Sequence, residues 1–236
     1  MGSGVLAAAL AVGATVLVFA LARRLHRRLG WALLHPVLVG IVAMIAALEA
    51  LGVSYQAYDR GGRWLSFWLG PAVVALGVPL FRQMEQVRRS ARALLVSLLA
   101  GGAVGIVSAC GVAALLGASP EVVRSLAPRS VTTPIAIEIA RRAGGIPSLS
   151  AVVVILSGVL GAAVGPALLR VAGVRSRTAL GIALGAAAHG VGTARAVEEG
   201  EVEAAGAGIA IGLMGVVTAV LTPPVLALLG WLGMSV

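Results

Sequence analysis

SVTTPIAIEIARRAGGIP, residues 130–147, is the stretch on which the fold turns. It holds paired threonines, a glutamate, a di-arginine and a Gly-Gly, and it is too polar for an ordinary membrane span. The chain around it is strongly apolar. Of 236 residues, 59% are hydrophobic and only 11% charged, with a mean hydropathy of +1.03. Globular domains carry about 25% charged residues. A soluble chain of this length could not hide so much apolar surface, so the bilayer has to act as its solvent.

The net charge of +9 does not describe a nucleic-acid footprint. All 18 basic residues are arginine, set in short clusters between apolar runs as membrane-flanking charges are. The one cysteine, Cys110, lies inside an apolar run, which rules out a disulfide framework or a cysteine-based metal site within one chain. Apolar runs occupy roughly 5–22, 31–51, 64–81, 93–117, 148–169 and 204–230. In the first of these the positive charge, RRLHRR (23–28), follows the apolar stretch. A signal peptide has the opposite order, so an uncleaved first helix is expected, with its N-terminus outside.

Arginine clusters then set the topology. Arg23, Arg24, Arg27 and Arg28 follow the first run, and Arg82, Arg88, Arg89 and Arg92 follow the third. The intervening loops, 52–63 and 118–129, are expected outside. Arg170, Arg175 and Arg177 reach the cytoplasmic side only if residues 130–147 enter and leave on one side, so a re-entrant hairpin is expected there. Glycines four apart, such as Gly181 with Gly185 and Gly161 with Gly165, favour close helix packing in lipid.

In lipid a broken helix survives only where it is buried in protein or lines a wet cavity. Pro134 suits a first helical turn, and Thr132 or Thr133 can cap it. A short helix is expected from near Thr133 to about Ala143, ended by Gly144 and Gly145, with Pro147 beginning the return. Its N-terminus, flanked by Ser130, offers free N–H donors to a carboxylate. HGVGTARAVE (189–198) offers a similar construction, with Gly190 and Gly192 opening the helix and Thr193 capping it. TTPIAIE and GTARAVE form a weak internal repeat that pairs Thr133 with Thr193 and Glu138 with Glu198; LGPAVVALGVPLFRQ, with Pro71 and Pro79, is a more diverged copy.

Among the ionisable groups, Glu138 is the candidate for proton or cation coupling and can pair with Arg142 at i+4. His189 either carries a proton or packs against a backbone carbonyl. Glu198 either couples or belongs to a solvated acidic loop, and Arg195 either meets a substrate carboxylate or snorkels. No zinc-protease, P-loop, paired-cysteine or Ser/His/Asp pattern is present, so no enzyme, metal or cofactor is expected.

The strings PAVVALGVPLFRQ (71–83), PRSVTTPIAIEIARRAGGIPSLSAV (128–152) and LGIALGAAAHGVGTARAVEEGEVEAAG (180–206) resemble the LrgB/CidB family. That resemblance implies an antiholin-like protein that modulates murein hydrolases and lysis beside a small holin-like partner of the LrgA/CidA type. It also implies kinship with a plastid glycolate/glycerate translocator, and bacterial relatives linked to small carboxylates such as pyruvate. Arginine replaces the family's frequent lysines, and Phe81 stands where tyrosine is common.

The expectation is an all-α polytopic integral membrane protein with about seven or eight membrane segments, some re-entrant or broken. Residues 1–236 form a single transmembrane domain, with N-terminal helices in 1–62 and a core of broken-helix repeats in 63–236. It is expected as a homodimer in the bacterial plasma membrane. Transport of a small monocarboxylate accounts for polar broken segments in an apolar chain, with Ser130, Thr132, Thr133, Pro134, His189, Gly190, Gly192, Thr193 and Arg195 around the substrate. Lysis regulation is the alternative.

Overall fold

The computed structural model describes residues 2–29, 34, 36–68, 71, 81, 85 and 91–236. Every regular element among the described residues is helical, and the protein is an all-α membrane protein. Among the described residues, four helices are long and apolar enough to cross a bilayer by length and composition. The described residues divide into two compact units, Met1–Ala75 and Leu76–Val236.

The first unit holds α1 (Gly2–Leu29), α2 (Pro36–Ala50) and α3 (Tyr55–Phe67). Helix α1 does not stop at the apolar boundary; it carries the arginine cluster on its last turns. The expected loop 52–63 is corrected, because α3 covers most of it. Gly61 is the local cause: a Cβ there would lie 2.6 Å from Ala11 Cβ, so only glycine lets α3 close on α1. Thr15 and Tyr58 then share a hydrogen bond of 2.8 Å. The apolar run 64–81 is described only at its start and at Pro71 and Phe81; Pro79 lies outside the described residues.

The second unit is built on three spans, α4 (Ala91–Leu115), α7 (Pro147–Val171) and α9 (Glu201–Trp231). They frame the shorter α5 (Pro120–Leu126), α6 (Thr133–Ala143) and α8 (Arg177–Glu199). The spans fall where apolar runs predict them. At 11 residues, α6 is about 16 Å long and cannot cross a bilayer. Helix α8 is long enough on paper but is not one rod. Ala188 and His189 leave helical geometry, and His189 has φ 42° and ψ −129°. The chain doubles back there, which brings Gly192 against the Leu184 carbonyl and Gly200 against the Arg177 guanidinium. Each arm is about ten residues, or ~15 Å.

Glycine makes room for this hairpin on both sides. A Cβ on Gly181 or Gly185 would strike the α9 backbone at Glu203 and Ala207. Gly158, Gly161 and Gly165 on α7 receive His189, Ala188 and Leu184. The core itself is apolar: Leu98, Val131, Ala136, Val154, Ala210 and Met214 form one buried cluster joining all the framing spans.

Candidate functional site

Helix α6 begins and ends as its residues require. Pro134 occupies the first turn, where its missing N–H is no loss. Gly144 takes the left-handed conformation, φ 75°, and Gly145 N–H donates to the Ala140 carbonyl at 2.8 Å, a glycine stop. One expectation at this helix is corrected: no threonine side chain caps it. Thr132 stands at the N-cap without a side-chain bond to the helix, and its buried Oγ1 has no partner. Pro147 stands in the first turn of the helix that follows the Gly144–Gly145 stop. It opens α7, which runs on for 25 residues. The reversal therefore lies before α6, in residues 127–132, and Gly144–Gly145 forms the closed end of this unit. There Ile146 N–H donates to Ser125 Oγ at 2.7 Å.

Two reversals thus flank α7. The first is made by α5, the irregular 127–132 and α6, and its closed end sits at the start of α7. The second is α8, whose closed end sits at the far end of α7. Arg170 of α7 pairs with Glu199, and Arg177 makes two bonds to Glu203, 2.8 and 3.0 Å. Both tips are held beside the middle of α7. Ser157 Oγ donates to the Arg129 carbonyl at 2.7 Å and also lies 2.9 Å from the Val154 carbonyl. The same Val154 carbonyl accepts from His189 Nε2 at 2.9 Å. One turn of α7 therefore holds both tips. The repeat that pairs Thr133 with Thr193 places Arg129 opposite His189.

His189 is buried, and it is the one non-glycine with positive φ among the described residues. Because its Nε2 meets a carbonyl, that nitrogen bears a proton. The break falls one residue earlier than Gly190, and Gly192 serves close packing, not helix opening. Thr193 does not cap: its hydroxyl donates back to the His189 carbonyl at 2.8 Å.

The acidic candidates sit elsewhere. Glu138 lies on the exposed side of α6 and pairs with Arg142 at 2.7 Å and Arg141 at 3.3 Å. Arg195 pairs with Glu198 at 2.7 Å and with Glu199 at 2.6 Å, so its charge is already matched.

A cleft of about 620 Å³ opens between α4, the first tip, the first arm of α8 and α9. Of the sequence candidates it takes in Ser130 alone; Thr132, Thr133, Glu138, His189, Thr193 and Arg195 lie off its walls. What sequence reasoning missed is Arg129. It lines the cleft beside Ser130, is half-buried, and donates to the Gly105 carbonyl at 3.3 Å. Among the described residues no carboxylate pairs with it. The sequence held no distinguishing signal: Arg170 and Arg177 also have no Asp or Glu within four positions, yet they pair with Glu199 and Glu203.

The LrgB-like family profile matches residues 15–228. The "Uncharacterized protein YxaC" of Bacillus subtilis (strain 168) is 38% identical over 187 residues, covering 79% of this chain and 81% of its own. "Antiholin-like protein LrgB" of Bacillus mycoides (strain KBAB4) is 35% identical over 201 residues, 85% of this chain and 87% of its own. The protein of that name from Bacillus cereus (strain B4264) is 34% identical over the same shares. No solved structure matches. With this similarity spanning its helical core, the chain is a multi-pass bacterial membrane protein and belongs to the LrgB-like family.

Proposed function

We propose that this protein is a secondary transporter of small monocarboxylates in the bacterial plasma membrane. One observation supports the reading most: two reversals close at opposite ends of α7, and their tips are tied to a single turn at its centre. Backbone of this kind persists in lipid only inside protein or along a wet cavity, and transporters build their binding sites near the bilayer midplane from such half-helices. On this reading both reversals are re-entrant. The substrate meets the tips near Ser130 and the N-terminus of α6, and His189 is the coupling group. Glu138, already paired with Arg141 and Arg142, has no part in coupling. The protein acts as a homodimer, with its N-terminus outside and no enzymatic chemistry.

A second reading is favoured by the names of the relatives, which are antiholin-like. In it the chain regulates lysis beside a small holin-like partner of the LrgA type, and the tips are packing surfaces. Proteoliposome uptake of labelled glycolate, glycerate, lactate and pyruvate, with and without a pH gradient, separates the two. Saturable uptake by the purified chain is expected. Its absence from folded protein, with and without the small partner, transfers the assignment to lysis regulation.

A further inference from the structure

We infer that Ser157 is a positioning residue that links the two tips: through its one hydroxyl proton, the hold on the first tip depends on the seating of the second. The inference deepens the transport reading, in which His189 on one tip has to act on a substrate at the other, and it rests on that reading for its part in uptake.

Two carbonyls compete for that proton. Ser157 Oγ lies 2.7 Å from the Arg129 carbonyl of the first tip and 2.9 Å from the Val154 carbonyl of its own helix. A serine hydroxyl has one proton to donate, and a carbonyl has two lone pairs with which to accept. Both lone pairs of Val154 are taken. One receives the α7 helical bond from the Gly158 N–H, and the other receives His189 Nε2 at 2.9 Å. With His189 seated, the Ser157 proton therefore goes to Arg129. Among the described residues no other donor reaches the Arg129 carbonyl.

Unseating His189 reverses the preference. A lone pair of Val154 is then free, and a helical serine bonds readily to the carbonyl three or four residues back. Rotation about one side-chain torsion carries the proton there, and the Arg129 carbonyl loses its donor. A carbonyl left without a donor inside a membrane protein is costly until its segment moves to find another. The bonds within the tip resist that movement weakly, because they are long: Arg129 N–H donates to Leu126 at 3.2 Å and Val131 N–H to Pro128 at 3.3 Å. His189 in turn holds strained torsions, φ 42° and ψ −129°, against the pull of its bond to Val154. Release of the second tip therefore loosens the first.

The test is amide hydrogen exchange of the full-length protein in nanodiscs, read by mass spectrometry on peptides covering 127–133. It compares the wild type, Ser157→Ala, His189→Asn and the double variant. Asparagine accepts positive φ more readily than most side chains and ends short of the Val154 carbonyl, so the second reversal can still form; His189→Gly repeats the comparison with no side chain at all. Each single variant should raise exchange in 127–133 about fivefold. The double variant should match Ser157→Ala, not the product of the two effects, which is about twenty-five-fold. Ser157→Thr, which keeps the hydroxyl, should stay near the wild-type rate and keep the response to His189→Asn. Effects that multiply, as they would for a serine that only packs, overturn the link, and so does an unchanged rate in both His189 variants. Uptake of labelled glycolate by the same proteins separates this inference from the reading beneath it. Effects that do not multiply, with no uptake by the wild type, leave the link and remove transport, whereas uptake with multiplied effects removes the link and leaves transport.

Discussion

The two reversals share a plan and differ in how they are held. The second, α8, is clamped everywhere. Its arms press on the backbone of α9 through Gly181 and Gly185, its tip sits in a glycine-lined seat on α7, and its closed end is bound by Arg170–Glu199 and Arg177–Glu203. The first has an irregular tip with an unpartnered Thr132 hydroxyl and a cation that meets no counter-charge among the described residues. The difference separates support from presentation: polar groups that are fully satisfied hold a shape, and groups left short of partners are available to a ligand.

The largest effect should come from breaking the clamp. Gly185→Ala drives a methyl into the Ala207 backbone, which cannot swing aside, and should cost about 3 kcal/mol or prevent folding. Thermal unfolding of the detergent-purified protein measures it, and Gly101→Ala, with open space around it, should leave the midpoint almost unchanged. Next is Arg177→Gln, which strips the buried Glu203 side chain of its bidentate partner. It should lower the same midpoint by less than Gly185→Ala and leave carboxylate binding intact, because neither residue lines the cleft. His189→Ala removes the donor to Val154 and should cost about 1–3 kcal/mol. It should also abolish any pH-gradient dependence of uptake; dependence that survives would assign coupling elsewhere. The smallest effect should be that of Glu138→Gln on the exposed face of α6, with neither uptake nor unfolding changing measurably. A loss of uptake there would erase the contrast, since it would place function on the outer face of the first reversal.

The legible parts of the fold were those with a local cause. Apolar runs mark α4, α7 and α9 because only hydrocarbon length and composition matter there. Pro134 and the Gly144–Gly145 pair mark both ends of α6 because each acts through its own backbone. Thr132 and Thr193 misled, since a hydroxyl near a helix start can cap, stay unpaired or bond backward, and only tertiary surroundings choose. The reversal at Ala188–His189 was hidden for a related reason. Gly190 and Gly192 look like the turn, yet Gly192 is needed where the returning arm passes Leu184, and the strained torsions fall on a histidine that its bond to α7 holds in place. Arg129 was masked by the richer string after it. Distance from acidic residues in sequence does not mark it, since Arg170 and Arg177 are as isolated and still find glutamates, and the cleft it lines is built from α4, α8 and α9.

The glycine seat of the second reversal bears on biogenesis. Each arm of α8 is too short to cross the bilayer, and the segment carries Arg177, Arg195, Glu198 and Glu199. A translocon that sorts segments by apolar length has little reason to leave it in lipid. Its slot is lined by α7 on one side and α9 on the other, and α9 is made after both α7 and the reversal. The reversal therefore has to wait at the membrane surface until α9 has emerged, and then dock as a finished pair of arms. Chains truncated before residue 201, released and inserted into membranes, should expose it to added protease, and chains extending through α9 should shield it. The order of synthesis thus leaves the seat of the reversal incomplete until α9 has followed it.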